Sequence, residues 1–118
     1  MNEYEEMMEL EYYLVKNNYN FERFIEREYK DTRVLCQIGN EEIVKASEMI
    51  THRNQIIVYE NGKRVWDAIC QKGSYGFEKG LIEIMGTIVS QDYEDDVEGY
   101  LTADEIINRL ERLKKGGV

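Results

Sequence analysis

The dipeptide Asn61-Gly62 constrains the fold of this chain more than any other feature, because it separates two apolar, strand-like runs. Both residues tolerate a positive φ, which a two-residue type I′ turn requires. We therefore predict a β-hairpin over about residues 55–70. Three facing pairs define its predicted register: Glu60 with Lys63, Val58 with Val65, and Ile57 with Trp66. Large apolar side chains then fall on both faces, so we expect at least part of the sheet to be covered on both sides.

The first half of the chain carries patterns typical of two helices and one strand. Apolar residues recur every three to four positions in residues 3–16, which predicts an amphipathic helix. Asn20 suits the N-cap of a second helix that extends to about residue 30. Residues 33–38 suit a strand, and residues 41–50 show a weak preference for helix. The N-terminal helices are the expected cover for the hairpin.

Two further helices are predicted after the hairpin. An apolar stripe over residues 77–88 predicts a helix in spite of Gly80 and Gly86. Each glycine costs about 1 kcal/mol in a helix interior, so we expect close packing against the sheet to compensate. Thr102 and Glu105 have the spacing of a capping box, which predicts that the last helix begins there.

These elements together predict an α+β fold, in which a small antiparallel sheet with a central hairpin packs against several helices. The length of 118 residues fits a single domain. Its expected parts are N-terminal helices (1–30), a sheet with its connecting segment (33–70) and C-terminal helices (77–115).

The net charge of −9 is unevenly distributed along the chain. Residues 1–15 hold five acids and residues 91–105 hold seven, and neither segment contains a base. Such segments repel a phosphate backbone, so we expect no direct binding of nucleic acid and instead a partner protein with a basic surface. The carboxylates predicted to bind it are Glu94, Asp95, Asp96 and Glu98, together with Glu3, Glu5, Glu6 and Glu9. Neutralising the first four is expected to weaken binding and leave the fold intact. The alternative is an acidic surface that serves only solubility.

The sequence also predicts the cellular compartment and the state of the two cysteines. No apolar run approaches the roughly 20 residues that span a bilayer, and the first six residues are acidic where a secretory signal is basic. We therefore expect a cytoplasmic protein that does not contact a membrane. Cys36 and Cys70 lie in apolar, strand-like runs, and we interpret both as buried free thiols.

The sequence predicts neither a catalytic centre nor a cofactor. His52 is the only histidine, and nothing in the spacing places it near either cysteine as a catalytic base. Residues 72–80 follow a strand and contain three glycines, an arrangement found in phosphate-binding loops, but they lack the motif of a P-loop or a dinucleotide fold. We interpret them as a tight turn before a helix, and the protein as no enzyme.

Residues 94–105 have the spacing of a calcium-binding EF-hand loop. The residues in ligand positions are Glu94, Asp96, Glu98, Tyr100, Thr102 and Glu105, with Gly99 at the turn. Glutamate at the first and fifth positions departs from the usual pattern, and no second loop is present to pair with this one. The favoured interpretation is an acidic loop before a capped helix, and a single-loop calcium module is the alternative.

Three segments carry a resemblance to a known group of proteins: DAICQKGSYG (67–76), GLIEIMG (80–86) and GYLTA (99–103). In these segments the chain resembles short acidic accessory proteins of phages and prophages of Gram-positive bacteria. The resemblance covers roughly residues 54–118 and none of residues 1–50. Such proteins include anti-CRISPR inhibitors that present carboxylates to the basic channel of a nuclease. The resemblance therefore implies a non-enzymatic inhibitor, acting in the host cytoplasm on a protein such as a CRISPR nuclease.

Overall fold

The protein is mostly sheet. The computed structural model describes residues 5–91 and 96–116. In chain order the elements are α1 (Glu5–Lys16), β1 (Asn20–Lys30), β2 (Arg33–Ile38), β3 (Glu41–Lys45), β4 (Glu48–Glu60), β5 (Lys63–Ile69), a 3-10 turn (Phe77–Lys79), β6 (Ile82–Gly86), β7 (Val97–Leu101) and α2 (Ala103–Lys114). Strands take up 48% of the structure and helix 25%, so the predicted α+β fold with several covering helices is wrong.

Five strands form one antiparallel sheet in the order β1-β4-β5-β6-β7. The spatial order follows the chain except that β2 and β3, which form a separate two-stranded ladder, are inserted between β1 and β4. None of the described helices is long and apolar enough to cross a bilayer.

One face of this sheet carries the hydrophobic core. The core residues alternate along the central strands, as Ile56 and Val58 do in β4 and Ile82 and Ile84 in β6. Alternate residues of a strand point to the same face. Residues of both α1 and α2 belong to the same cluster, so the two helices cover that face. In the described residues both helices lie on this face, whereas on the other face Ile57 and Asp67 are buried without helical cover.

Residues 20–30 form a strand, and the predicted second helix is wrong. β1 pairs with β4 along its whole length, from Asn20 opposite Tyr59 to Lys30 opposite Glu48. The apolar spacing of this segment fits one side of a helix, but pairing with a strand about 30 residues further along the chain overrides that local preference. The weak helical preference of residues 41–50 is overridden in the same way, because they belong to β3 and β4.

The helix predicted over residues 77–88 is also absent. Its place is taken by one 3-10 turn and by β6. Gly80 and Gly86 adopt φ values of +69° and +109°, which lie outside the helical region. The two glycines therefore end local structure rather than pack within a helix.

The Asn61-Gly62 hairpin is present with the predicted turn. Asn61 has φ of 53° and Gly62 has φ of 76°, and Glu60 faces Lys63 as predicted. The register beyond this pair is wrong, because it shifts between Val58 and Tyr59. A β-bulge of this kind is not encoded in the turn residues.

The shift changes which residues face each other further along the hairpin. Val58 lies opposite Trp66, and Ile57 lies opposite Asp67. Trp66 is still buried, at 3% exposure, because Val58 and Trp66 now share the face that the helices cover.

Beyond the core, β1 and β4 extend as a long projection that carries β2 and β3. We call residues 26–53 the arm, since Glu26 faces Arg53 where the projection leaves the sheet. Every residue from 26 to 45 is exposed. The molecule consequently measures 56 Å along its longest axis and 29 Å and 23 Å across the others.

Candidate functional site

The two helices lie side by side and parallel. At one end the Glu6 carboxylate accepts a hydrogen bond from the backbone N–H of Ala103, at 2.7 Å. At the other end the Lys114 Nζ donates to Asn17 Oδ1, at 2.7 Å. The N-termini of α1 and α2 are therefore adjacent, although they lie almost a hundred residues apart in sequence.

This arrangement gathers carboxylates into one surface, which we call the acidic end. Its members are Glu5, Glu6 and Glu9 of α1 and Asp104 and Glu105 of α2. All are exposed except Glu6, which is half-buried where it caps α2. Negative charge is favourable at helix N-termini because the macrodipole places partial positive charge there. Three of the predicted partner-binding residues thus come together, joined by two from α2 that the sequence analysis did not assign to a partner.

Glu9 and Asp104 form the centre of the acidic end. Partial loss of hydration raises the pKa of Glu9, and Asp104, Glu6 and Glu5 raise it further through their negative charge. A hydrogen bond to Asp104 acts in the same direction. Within residues 5–91 and 96–116 no basic side chain forms an ion pair with Glu9 or Asp104. These two carboxylates at the centre of the acidic end therefore lack a basic partner among the described residues.

The Glu9→Gln variant is expected to be slightly more stable than the wild type at pH 7. A carboxyl whose pKa is raised by folding destabilises the native state wherever it is ionised, and this cost disappears below the unfolded value, near 4.5. We expect a gain of at most about 0.5 kcal/mol, as is usual at an exposed position. Urea denaturation at pH 7 and pH 3.5 measures it, with Glu60→Gln as the control. A gain of the same size at both pH values would contradict the repulsion.

Glu98 is not available to a partner, although the sequence analysis assigned it to one. Both of its carboxylate oxygens accept hydrogen bonds from Arg109, at 2.8 Å and 2.6 Å, and Oε1 also accepts from the Ser90 N–H, at 3.0 Å. The hydrogen bonds from Arg109 lower the pKa of Glu98. These hydrogen bonds join β7 to α2. Because Glu98 is also only 9% exposed, its role is structural.

The remaining predicted carboxylates do not extend the acidic end. Asp96 is exposed, but it precedes β7 while Asp104 follows it, so roughly 16 Å of extended strand separates them. Glu3, Glu94 and Asp95 lie outside the described residues.

The alternative calcium loop loses two of its ligands to protein contacts. Glu98 is held by Arg109, and the Glu105 carboxylate accepts from the N–H of Thr102 in a complete capping box. Tyr100 belongs to β7. Glu94, the first position of the loop, is outside the described part of the chain. In that part, no three acidic, histidine or cysteine side chains group as metal ligands would.

The sequence also offered a phosphate-binding loop, two cysteines and a histidine as candidates for chemistry. Residues 72–80 lead into a three-residue 3-10 turn rather than the helix that a phosphate loop needs. Cys70 is buried as predicted, but Cys36 is exposed on the arm. His52 is 2.6 Å from Glu28 and lies on the arm as well.

Two exposed tyrosines, Tyr75 and Tyr100, form a feature that the sequence analysis missed. The backbone N–H of Tyr100 donates to the carbonyl of Tyr75, at 3.3 Å. The turn at Tyr75 and strand β7 approach so closely that a Cβ on Gly99 would lie 2.4 Å from the Tyr75 Cβ. The side chains are 62% and 54% exposed, and Tyr100 stands two residues before Thr102, the N-cap of α2.

The backbone at Tyr100 is unusual. Its φ of 60° is rare for a bulky residue, and strained backbone of this kind is enriched at binding sites and active sites. We therefore include Tyr75 and Tyr100 in the candidate site, because Tyr100 lies close in the chain to the N-terminus of α2 and its backbone contacts Tyr75. In the sequence the two tyrosines are marked only by the segments GSYG and GYL. The sequence does not predict that these two segments lie close together.

Comparison of the chain with models of protein families, with curated proteins and with solved structures gives no match. The resemblance to phage accessory proteins therefore stays a prediction.

Proposed function

We propose that this protein is a non-enzymatic acidic accessory protein, of the phage type, that binds and inhibits a basic nucleic-acid-handling protein of a bacterial host. A CRISPR nuclease is an example of such a target. The observation that carries the proposal is the acidic end, where two parallel helices bring their N-terminal carboxylates together and where Glu9 and Asp104 form no ion pair with a basic side chain in the described part of the chain.

Stability alone does not favour this arrangement of charge. Single acids at helix N-termini stabilise a helix, whereas carboxylates that repel each other across two helices cost stability. A partner that supplies arginine or lysine side chains relieves this repulsion on binding. The electrostatic free energy that destabilises the free protein then favours formation of the complex. A channel built for phosphates provides such side chains.

The neighbouring tyrosines suit the same kind of partner. Tyr75 and Tyr100 offer large, half-exposed rings, and Tyr100 precedes the N-cap of α2 by two residues. Tyrosine is enriched among the residues that dominate binding energy, and its ring attracts the guanidinium group of arginine. The carboxylates then supply electrostatic attraction and the rings supply buried contact area.

Neutralising the acidic end is expected to weaken partner binding roughly tenfold, equivalent to about 1.4 kcal/mol, and to reduce its salt dependence. The immobilised chain first captures its partner from the lysate of a Gram-positive bacterium. The affinity of the purified partner is then measured at several salt concentrations for wild type and for Glu9→Gln with Asp104→Asn.

The matched control is Glu60→Gln with Glu78→Gln, which removes the same charge from two other exposed positions. Its affinity is expected to stay close to that of the wild type. Duplex DNA or RNA is expected to displace the chain from the partner, because both would occupy the same basic channel. Unchanged affinity in the folded Glu9 and Asp104 variant, or simultaneous binding of nucleic acid, would contradict the proposal.

A further inference from the structure

We propose that a small cavity at the C-terminal end of the two helices binds a free amino acid with an aromatic side chain. The cavity has a volume of about 200 Å³ and lies between the last turn of α2, the β4–β5 hairpin and the turn after β6. An α-helix rises about 1.5 Å per residue, so Lys114 at this cavity is roughly 15 Å from Asp104 at the acidic end. The cavity is therefore a separate site, and its ligand is independent of the proposed function.

The floor of the cavity is apolar and belongs to the hydrophobic core. Trp66, Ile88 and Leu110 line it, and each is only 3% to 5% exposed. A ring that enters the cavity contacts the Trp66 indole, and aromatic pairs gain stability beyond the burial of their area. Pockets of about 300–1,000 Å³ hold drug-sized ligands, so this smaller cavity suits a molecule with a single ring.

The ammonium group of Lys114 is held at the rim of the cavity. Its Nζ donates a hydrogen bond to Asn17 Oδ1, at 2.7 Å, and lies 5.3 Å and 5.8 Å from the ring centroids of Tyr13 and Tyr19. These contacts restrain a side chain that is ordinarily mobile, which lowers the entropy lost when it binds a ligand. An ammonium group has three N–H donors, and the described residues accept a hydrogen bond from one of them. Lys114 can therefore also donate to the carboxylate of a ligand.

The carboxylate of Glu60 supplies the opposite charge at the same rim. Glu60 is the last residue of β4, and it lines the cavity together with Lys114. Lys63 faces it across the hairpin turn, but neither lysine forms an ion pair with Glu60 in the described part of the chain. The carboxylate can therefore accept hydrogen bonds from the ammonium group of a ligand.

A zwitterion matches both charges of the rim. A ligand with only a carboxylate is attracted by Lys114 and repelled by Glu60, and a ligand with only an amine meets the reverse arrangement. An amino acid carries both groups on one carbon atom and directs its side chain away from them, here towards the apolar floor. Because a zwitterion has no net charge, the net charge of −9 on the protein does not repel it.

Titration with L-phenylalanine, followed by the emission of Trp66 and by calorimetry, tests the proposal. Trp66 is the only tryptophan and lines the cavity, so its emission reports binding at this site. We expect a Kd on the order of 1 mM, which is ordinary for a ligand of this size. 3-Phenylpropionate lacks the ammonium group, phenethylamine lacks the carboxylate and glycine lacks the ring. Each is expected to bind about tenfold more weakly than L-phenylalanine, or worse.

Two variants assign the charges of the ligand to residues of the rim. Glu60→Gln is expected to weaken the binding of L-phenylalanine about tenfold but not that of 3-phenylpropionate, which has no ammonium group for Glu60 to bind. Lys114→Gln is expected to weaken L-phenylalanine by a similar factor and to leave phenethylamine unaffected. Both positions are exposed, so the fold is expected to be retained. The controls Glu78→Gln and Lys79→Gln remove the same charges from other exposed positions and are expected to bind like the wild type.

An unchanged emission and no heat of binding at about ten times the expected Kd would overturn the proposal. Equal affinity for the three ring-bearing ligands would overturn it too, because the cavity would then be an apolar pocket, such as one for a side chain of a partner protein. Wild-type affinity for L-phenylalanine in both rim variants would exclude the assigned charges. None of these results bears on the acidic end, since Glu60→Gln belongs to the control that is expected to bind the partner normally.

Discussion

Replacing Trp66 with alanine is expected to lower the free energy of unfolding by about 3–5 kcal/mol. Trp66 is 3% exposed and lies in the core cluster with residues of both helices, so its removal leaves a cavity that those elements cannot close. Because it is the only tryptophan, its emission reports this environment directly and is expected to be blue-shifted and protected from quenchers in the native protein.

Urea denaturation followed by circular dichroism measures the loss. The control is Tyr12→Ala, at a position that is 69% exposed, for which we expect a change within about 0.5 kcal/mol. A loss below about 1 kcal/mol for Trp66→Ala, together with a red-shifted native emission, would show that the hairpin does not bury this side chain as described.

Replacing Glu98 with alanine is expected to cost about 3–5 kcal/mol at pH 7, because it leaves the charge of Arg109 largely buried without its partner. The Glu98 and Arg109 side chains are 11% and 17% exposed, and their two hydrogen bonds are short. This result would correct the expectation from sequence that Glu98 is neutralised without harm to the fold.

The cost of Glu98→Ala is also expected to depend on pH. Since folding lowers the pKa of Glu98, its stabilising contribution is complete above the ordinary value of 4.5 and is lost as the pH falls through the lower folded value. The unfolding free energies of wild type and variant should therefore converge in acid. Asp96→Asn is the exposed control and is expected to change stability little. A cost that is constant between pH 7 and pH 3 would mean that the ion pair is not its source.

Features that depend on neighbouring residues could be predicted from the sequence. The capping box of Thr102 and Glu105 and the turn at Asn61-Gly62 are present because a few adjacent residues determine each of them. The first helix was predicted for the same reason, since three core positions recur within its own twelve residues.

The remaining elements depend on contacts between distant segments. β1 has the apolar spacing of a helix and becomes a strand by pairing with β4. Gly80 and Gly86 were interpreted as helical residues, although their positive φ values exclude a helix. The β-bulge that shifts Val58 opposite Trp66 has no signal in the turn. Long-range pairing therefore decided the outcome wherever local patterns were ambiguous.

The candidate site was predictable only in part. The sequence identified the acidic N-terminal segment, but it could not show that Glu9 meets Asp104 from the other end of the chain. Glu98 was assigned to a partner because its charge was visible and its contact with Arg109 was not. The proximity of Tyr75 and Tyr100 likewise depends on how a turn packs against strand β7, 25 residues further along the chain.

Transferred cross-saturation NMR on the chain bound to its captured partner tests the central claim most directly. Irradiation of the partner attenuates the amide signals of chain residues that contact it. The proposed function predicts attenuation at Glu5, Glu9, Tyr100 and Asp104. Attenuation confined to the sheet face opposite the helices, with the amides of the acidic end unaffected, would contradict it.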